Sequence, residues 1–415
     1  MARNARHRNA RQRPGTRRTR LCTTVALCAV ALGSFSAQAT AAPGTRTGTA
    51  SHSAARAATP WKLRLPMTET VSTEFWDVAS TGAKDVWAVG RKTDGADGPI
   101  PAVKHWNGTR WTDTAPVTGT APAQLDKISA AAPDDVWAAG TISGDTSTGL
   151  LLQHWDGKKW TKIDRPAPPE GWMSFVGDIA AFGPKSAWLT SFDWDQASNS
   201  YDYRLERWTG SMWRRVSLPA APGGGQVQPW DITGTGPDDV WVTAEAVTGE
   251  VSVPLLYHWD GSRWTTHKVP TPTAHPTGWV ANHAVTAGRN SVYVLGKTND
   301  AQAPEATMAA RWTGSRWQTL PAPPVDEVNA ANVDGAGRLW VAGWSAGDRH
   351  SVLSRWTGTT WTTEALPAEV TEHSEMSTVL GIAGVPGTSG VLAAGTAGCQ
   401  SDPVMCGVLV SRDLR

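Results

Sequence analysis

Short apolar runs that end in a small residue recur along the chain and predict β-strands. The clearest is Asp-Val-Trp-Ala-Val-Gly at residues 85–90, in which bulky apolar side chains follow an acidic first residue. Similar runs place an aromatic or other apolar side chain at positions 87, 137, 188, 241, 293, 340 and 392, which lie 47 to 53 residues apart. A repeat of this length is typical of an array built from one structural unit.

A second pattern, Trp-x-Gly-x-x-Trp, alternates with the first. Its centre is Asn107-Gly108 in one copy and Asp156-Gly157 in another. These dipeptides supply the positive φ of a two-residue type I′ turn, so each copy predicts two strands joined by a tight hairpin. The six copies are Trp106/Trp111, Trp155/Trp160, Trp208/Trp213, Trp259/Trp264, Trp312/Trp317 and Trp356/Trp361.

The two patterns, with the segment before each apolar run, make a four-strand unit of about 51 residues. Four short strands per repeat without a helical period are typical of a propeller blade. Residues 407–413 match a third strand, after which the chain stops, and residues 61–66, Trp-Lys-Leu-Arg-Leu-Pro, match the missing fourth. We therefore predict an all-β, seven-bladed β-propeller of four-stranded blades, its ring closed by the N-terminal strand that completes the last blade.

The motifs Asp-Val-Trp-Ala-Val-Gly and His-Trp-Asp-Gly-x-x-Trp resemble those of Trp-rich secreted bacterial propellers, similar in appearance to kelch, Asp-box and galactose-oxidase-like propellers. The resemblance covers the whole predicted mature chain and implies a fold. A single Gly90 stands where kelch repeats carry a glycine doublet, and Asp156 and Gly157 are adjacent where an Asp-box separates them. A galactose-oxidase copper site also needs a Cys-Tyr crosslink. The resemblance therefore implies no oxidase or sialidase activity.

The N-terminus has the parts of a secretory signal. Residues 1–41 contain eight arginines and no acidic residue, with an apolar run from Leu21 to about Phe35 and small residues before position 42. The apolar run is too short to span a membrane. We predict a signal peptide at 1–41, a disordered linker at 42–59 and the propeller at 60–415, hence a secreted protein. General and twin-arginine export both stay open.

Removal of the signal reverses the net charge. The full chain carries +1, whereas 30 basic and 37 acidic residues follow residue 41, which gives a net charge of −7. A chain of that charge lacks the electrostatic footprint of a nucleic-acid or anionic-membrane binder. We therefore expect neither as a partner.

Two cysteines follow the signal, Cys399 and Cys406. In an oxidising compartment this spacing predicts one local disulfide that closes a loop. The spacing is not Cys-x-x-Cys and no cationic residue lies between the two, so a redox-active pair is disfavoured.

The tryptophans fall into two groups. Of the 24 in the chain, 18 belong to the two patterns and to the closing strand. The other six lie near the long connections that share one face of a propeller. Exposed indoles beside carboxylates suggest sugar recognition, whereas the alternative is that these rings fill the core between blades. The six are Trp76, Trp172, Trp194, Trp230, Trp279 and Trp344.

Polar residues ten positions before the aromatic strand position form a second candidate set. Asp77, Asp178, Asp231 and His283 are predicted to face the central channel. They suit a cation site or the acid and base of glycoside chemistry, and the alternative is a channel lined by ordinary solvated side chains. No nucleophile motif, zinc motif or phosphate loop is present, so we predict no cofactor and no metal.

These observations favour a secreted, monomeric, non-catalytic propeller that binds carbohydrate or a cell-surface glycan on its long-loop face. One alternative is a glycoside hydrolase or lyase that uses the channel carboxylates. Another is an extracellular scaffold that binds a protein ligand.

Overall fold

The computed structural model describes residues 60–414 apart from 94–97, 118, 120, 145–146, 250, 272–277, 299–305, 346, 348, 373 and 400–403. The predicted signal peptide and linker lie outside these residues. Apart from one short helix, α1 (Ala368–Thr371), the regular secondary structure of the described residues is all β-strand. None of its helices is long and apolar enough to cross a membrane.

The strands follow one another in runs of four. The first two runs are β2 (Ser72–Gly82), β3 (Asp85–Thr93), β4 (Pro99–Trp106), β5 (Trp111–Asp113), and β6 (Ala123–Ala132), β7 (Asp135–Ser143), β8 (Thr148–Trp155), β9 (Trp160–Ile163). The next two are β10 (Trp172–Ala181), β11 (Ala187–Asp195), β12 (Ser200–Trp208), β13 (Trp213–Val216), and β14 (Gln226–Gly236), β15 (Asp239–Thr248), β16 (Val251–Trp259), β17 (Trp264–Lys268).

The C-terminal part continues in the same way. Its complete runs are β18 (Trp279–Thr286), β19 (Val292–Thr298), β20 (Thr307–Trp312), β21 (Trp317–Thr319), and β22 (Glu327–Val333), β23 (Leu339–Trp344), β24 (Val352–Trp356), β25 (Trp361–Ala365). The last three strands, β26 (Ser377–Gly384), β27 (Val391–Gly398) and β28 (Met405–Arg412), are joined by β1 (Lys62–Leu63) from the N-terminus.

Neighbouring strands within each run are antiparallel. The described strands make five four-stranded sheets and one eight-stranded sheet, in which β6–β9 and β10–β13 are joined by one parallel pair, Met173 and Thr148. Strand β1 pairs with β28, with Lys62 opposite Ser411. The N-terminal segment therefore takes the fourth position in the last sheet.

The Trp-x-Gly-x-x-Trp segments form hairpins, but the two-residue type I′ turn is wrong. Trp106 pairs directly with Trp111, so the loop contains four residues. Gly108 has a φ of 91°, whereas Asn107 is not among the residues with positive φ. The Asn107 side chain instead accepts hydrogen bonds from the backbone N–H groups of Thr109 and Arg110. The Asn-Gly pair is selected here because a side-chain acceptor stabilises the turn.

Tryptophans of the second strands pack one sheet against the next. Trp87 is fully buried, and its ring lies 5.2 Å from Trp155 and 5.6 Å from Trp160 of the following run. Its other face stacks on His105, whose Nε2 lies 2.7 Å from Asp85 Oδ1. Asp85 and His105 therefore support the packing of Trp87.

The first strand of each of the seven runs carries a register shift against the second strand, at an equivalent position in every run. A β-bulge at each position turns the following side chain and increases the local twist. The shifts lie between Phe75/Asp77, Leu125/Lys127, Val176/Asp178, Pro229/Ile232, Val280/His283, Val328/Ala330 and Val379/Gly381.

The disulfide prediction is confirmed. Cys399 and Cys406 are bonded, with Cα atoms 5.0 Å apart, and both residues are buried. The bond closes the β27–β28 connection beside the core that contains Trp61 and Trp340.

Candidate functional site

The first strands of all seven runs line a cavity of about 610 Å³. Its lining extends from the level of the bulges to the short turns between the first and second strands, such as Gly236 and Pro237. The cavity therefore lies on the short-turn side of the predicted channel residues and not on the long-loop side. The strands that line it are β2, β6, β10, β14, β18, β22 and β26.

The four predicted channel residues meet at the deep end of this cavity. Asp77, Asp178, Asp231 and His283 all line it, together with Lys127. Each aspartate also accepts a hydrogen bond from the backbone of the next first strand. The bonds run from Ile128 N–H to Asp77 at 2.9 Å, from Ile232 N–H to Asp178 at 3.2 Å and from Ala284 N–H to Asp231 at 2.9 Å.

Asp178 and Asp231 form a carboxyl pair. Their carboxyl groups interact, so that the protonation of one is linked to that of the other. Burial raises the pKa of Asp178 well above its ordinary value, and the adjacent Asp231 charge raises it further. Burial also raises the pKa of Asp231. The two carboxyls therefore stay protonated to a higher pH than isolated carboxyls do, because burial and a neighbouring like charge both disfavour ionisation.

The remaining cavity groups balance this charge. Burial acts to lower the pKa of Lys127, but the nearby charges of Asp77, Asp178 and Asp231 raise it above its ordinary value. Burial and the Lys127 charge lower the pKa of His283 to about 4, so its imidazole is neutral at pH 7. The His283 Nε2 lies 2.9 Å from the Val328 carbonyl oxygen and donates to it.

The Asp77, Asp178 and Asp231 carboxylates all accept hydrogen bonds from the backbone of the neighbouring sheet. Lys127 supplies a positive charge close to these carboxylates. Among the described residues, no group of three or more His, Cys, Asp or Glu side chains is arranged to hold a metal ion.

The six non-repeat tryptophans do not share one exposed face. Trp279 is fully buried, and its Nε1 donates to the Pro270 carbonyl oxygen at 2.9 Å. Trp76 is 9% exposed and lies under the Arg91 guanidinium, 5.0 Å from the ring centroid. The rings of Trp76 and Trp279 therefore fill the core. Four are half-buried: Trp172, Trp194, Trp230 and Trp344.

Trp172 and Trp194 lie on opposite faces of one sheet. Trp194 is opposite Met173, so it projects from the face that carries Phe175. Trp172 lies on the other face of the sheet, together with Ser174. The Ser174 hydroxyl donates a hydrogen bond to Asp193 at 2.6 Å. Trp344 belongs to a different sheet, in which it is the last residue of β23. These three rings do not converge on one ligand.

Trp194 and Trp230 instead belong to a larger group of half-buried rings, which we call the aromatic surface. Neighbouring centroids within it are 5.0 to 6.2 Å apart. The rings of Trp194, Tyr201 and Tyr203 are nearly parallel, with interplanar angles of 15° and 18°. The members are Phe175, Phe192, Trp194, Tyr201, Tyr203 and Trp230.

Strand alternation explains why these rings share a face. Phe192 and Trp194 are two residues apart on β11, and Tyr201 and Tyr203 are two apart on β12. Phe192 is opposite Tyr203 and Trp194 is opposite Tyr201 across the hairpin. The tryptophan count overlooked the phenylalanines and tyrosines. The alternating patterns Phe-x-Trp at 192–194 and Tyr-x-Tyr at 201–203 are the sequence features that indicate a shared aromatic face.

Glu245 lies at the base of the aromatic surface. It is 6% exposed and accepts hydrogen bonds from Trp230 Nε1 at 3.2 Å and from the Ser252 hydroxyl. Burial raises its pKa above the ordinary value. Burial and the nearby Glu245 charge raise the pKa of the Tyr203 phenol, which therefore stays protonated at neutral pH.

The opposite face of β11 and β12 carries an ion-pair network. Asp193 is fully buried and lies 2.7 Å from Arg204. Arg165 lies 2.8 Å from Glu206, and Arg204 also contacts Asp202. These buried or partly buried pairs balance one another's charge on the face opposite the aromatic surface.

No family model matches the chain, and no curated protein matches it. One similar solved structure is described as YCF48 bound to D1 peptide, at 14% identity, 85% coverage of this chain, 96% of that chain and a TM-score of 0.50. A GH74 xyloglucanase from Xanthomonas campestris has 16% identity, 84% coverage of this chain and a TM-score of 0.53. This chain spans 55% of that enzyme's length.

A third similar structure is the β-propeller domain of the Trilobed protease from Pyrococcus furiosus, at 11% identity, 83% coverage of this chain, 97% of that chain and a TM-score of 0.46. The structural neighbours are β-propellers. With an all-β chain of repeated four-stranded sheets, the likeness to the first two shows that this chain has the β-propeller fold.

Proposed function

We propose that this protein is a secreted, seven-bladed propeller that binds an extracellular glycan on the aromatic surface and does not modify it. The pairing of β1 with β28 supports a ring closed by the N-terminal strand. The Cys399–Cys406 disulfide supports an oxidising compartment.

The observation that carries the proposal is the aromatic surface itself. Six half-buried rings from three strands of one sheet and from β14 form one continuous patch. Single exposed apolar residues are ordinary, whereas a contiguous patch of this kind marks a binding site. Aromatic faces pack against the C–H groups of sugars, and the Tyr201 and Tyr203 hydroxyls supply hydrogen bonds at the same surface.

The test is a glycan array that includes xyloglucan oligosaccharides, because one structural neighbour is a xyloglucanase. We expect wild-type protein to bind at least one glycan, and Trp194→Ala to weaken that binding at least tenfold. Trp344→Ala is the matched control, since Trp344 is also half-buried but belongs to another sheet. Absence of binding to every glycan, or equal losses in both variants, would overturn the proposal.

The catalytic alternative is tested on the same ligand. We expect wild-type protein to release no reducing sugar from a glycan that it binds, because the Asp178 and Asp231 carboxylates accept hydrogen bonds from the neighbouring backbone. Sugar release by the wild type that disappears in Asp231→Asn would show that the cavity carboxyls are catalytic.

A further inference from the structure

Asn199 occupies the turn between β11 and β12, at the edge of the aromatic surface. It is exposed and has a φ of 52°, a conformation that asparagine adopts more readily than most residues. Its Oδ1 accepts hydrogen bonds from Trp194 Nε1 at 3.2 Å and from the Tyr201 hydroxyl at 3.3 Å. One amide oxygen therefore contacts two adjacent rings of the surface.

These two contacts determine the orientation of the amide. An indole N–H only donates, so the atom that faces Trp194 must be the oxygen of Asn199. The Nδ2 group then points away from both rings. Within the part of the chain that the structure describes, the Asn199 hydrogen bonds involve only Oδ1. Because its oxygen is held by the two rings, the exposed Asn199 amide presents its two N–H donors to solvent at the edge of the aromatic surface.

The charges around the surface restrict the ligand further. Arg204 on β12 and Arg215 on β13 both bond to Asp202 on the opposite side of the sheet. Glu245 is the acidic group beside Tyr203 and Trp230. Arg204 and Arg215 are therefore engaged away from the rings, and the Glu245 charge beside Tyr203 disfavours a carboxylate in a bound sugar.

We propose that Asn199 is the specificity-determining polar residue of the aromatic surface, and that its Nδ2 donates to an oxygen of a neutral glycan. This inference rests on the proposed glycan-binding function. The rings supply stacking that tolerates many sugars, whereas the directed amide selects a ligand with an acceptor oxygen at the turn. Uronic and sialic acids are excluded by charge.

Two variants separate this role from simple support of the rings. Asn199→Asp keeps an oxygen acceptor for Trp194 and Tyr201 and tolerates the positive φ, but it removes both donors. Asn199→Gly also tolerates the φ and removes the whole amide. One lost hydrogen bond of about 1 kcal/mol corresponds to roughly a fivefold weaker affinity.

The experiment is an array of neutral, uronic-acid and sialylated oligosaccharides, read with wild type, both Asn199 variants and Trp194→Ala. We expect wild type to bind neutral glycans only, and both Asn199 variants to bind them at least fivefold more weakly at an unchanged melting temperature.

Other outcomes distinguish the two proposals. If Asn199→Asp binds as well as wild type while Trp194→Ala does not, the donor role is wrong and the glycan-binding function stands. Preferred binding of acidic glycans by wild type would overturn the neutral class. Binding of no glycan by wild type would overturn the proposed function and this inference with it.

Discussion

The backbone N–H of Ile128 donates a 2.9 Å hydrogen bond to Asp77 Oδ2, across the boundary between two neighbouring sheets. The other Asp77 oxygen accepts the N–H of Val78 within its own strand. Equivalent bonds join Asp178 to Ile232 and Asp231 to Ala284. Carboxylates predicted as ligand-binding groups thus tie consecutive strands together around the cavity.

Removal of the Asp77 carboxyl should destabilise the fold. In Asp77→Ala the N–H groups of Val78 and Ile128 lose their acceptor, and an unsatisfied buried donor costs about 1–3 kcal/mol. Asp77→Asn keeps an acceptor oxygen and is the matched control. Urea unfolding should show a clear loss of stability in the alanine variant and a smaller one in the asparagine variant. Equal stability of wild type and Asp77→Ala would refute the role of these bonds.

The pH dependence of stability should carry a signature of Asp77. Burial raises the pKa of this carboxyl from 3.8 to about 6. Between these values the folded protein holds a proton that the unfolded chain releases, so the contribution of Asp77 is present below pH 3.8 and is lost as pH rises through 6.

The measurement is the melting temperature of wild type relative to Asp77→Asn, taken from about pH 4 to about pH 8. We expect the melting temperature of the wild type to fall relative to that of Asp77→Asn until about pH 6 to 7. Above that range it should change little, because Asp77 is then ionised in both the folded and the unfolded state. A melting temperature of the wild type that rises relative to that of the variant as pH rises would contradict the raised pKa of Asp77.

Two tryptophans from the same predicted set should respond in opposite ways. Trp279 is fully buried in a core with Trp241 and Leu256, so Trp279→Ala should cost about 3–5 kcal/mol. Trp194 is half-buried on the aromatic surface, and Trp194→Ala should cost under about 1 kcal/mol. Denaturant unfolding of the two variants measures the difference. Similar losses would show that Trp194 also serves the core.

The N-terminal strand should be essential for a stable monomer. Trp61 is 2% exposed, lies edge-on 5.6 Å from Trp340 and donates from Nε1 to Glu364 at 2.8 Å. Deletion of residues 60–66 removes this packing and exposes the edge of β28, so we expect aggregation or unfolding.

Size-exclusion chromatography and thermal unfolding provide the readout for that deletion. Lys62→Ala is the control, because Lys62 is exposed and its side chain lies outside this core. A monomeric deletion variant with wild-type stability would show that β1 is dispensable.

Local sequence patterns predicted the strands, their alternation and the Cys399–Cys406 bond, since each depends on near neighbours in the chain. The hairpin loops were misjudged because Asn107 stabilises its turn through a side-chain acceptor rather than through positive φ. The channel residues Asp77, Asp178 and Asp231 were located correctly, but their bonds to the next strand connect residues 51 to 54 positions apart. No pattern in one repeat displays such a contact.

The sequence by itself determined the four-strand repeat and the apolar core, because alternation and turn residues act over a few positions and recur in each copy. Only the tertiary structure decided which unusual residues act together. It buried Trp279, separated Trp172 from Trp194 and joined Trp194 to Phe192, Tyr201, Tyr203 and Trp230. The reason is physical: burial and sheet face depend on strand register and on the neighbouring sheet, which lie beyond the range of local patterns.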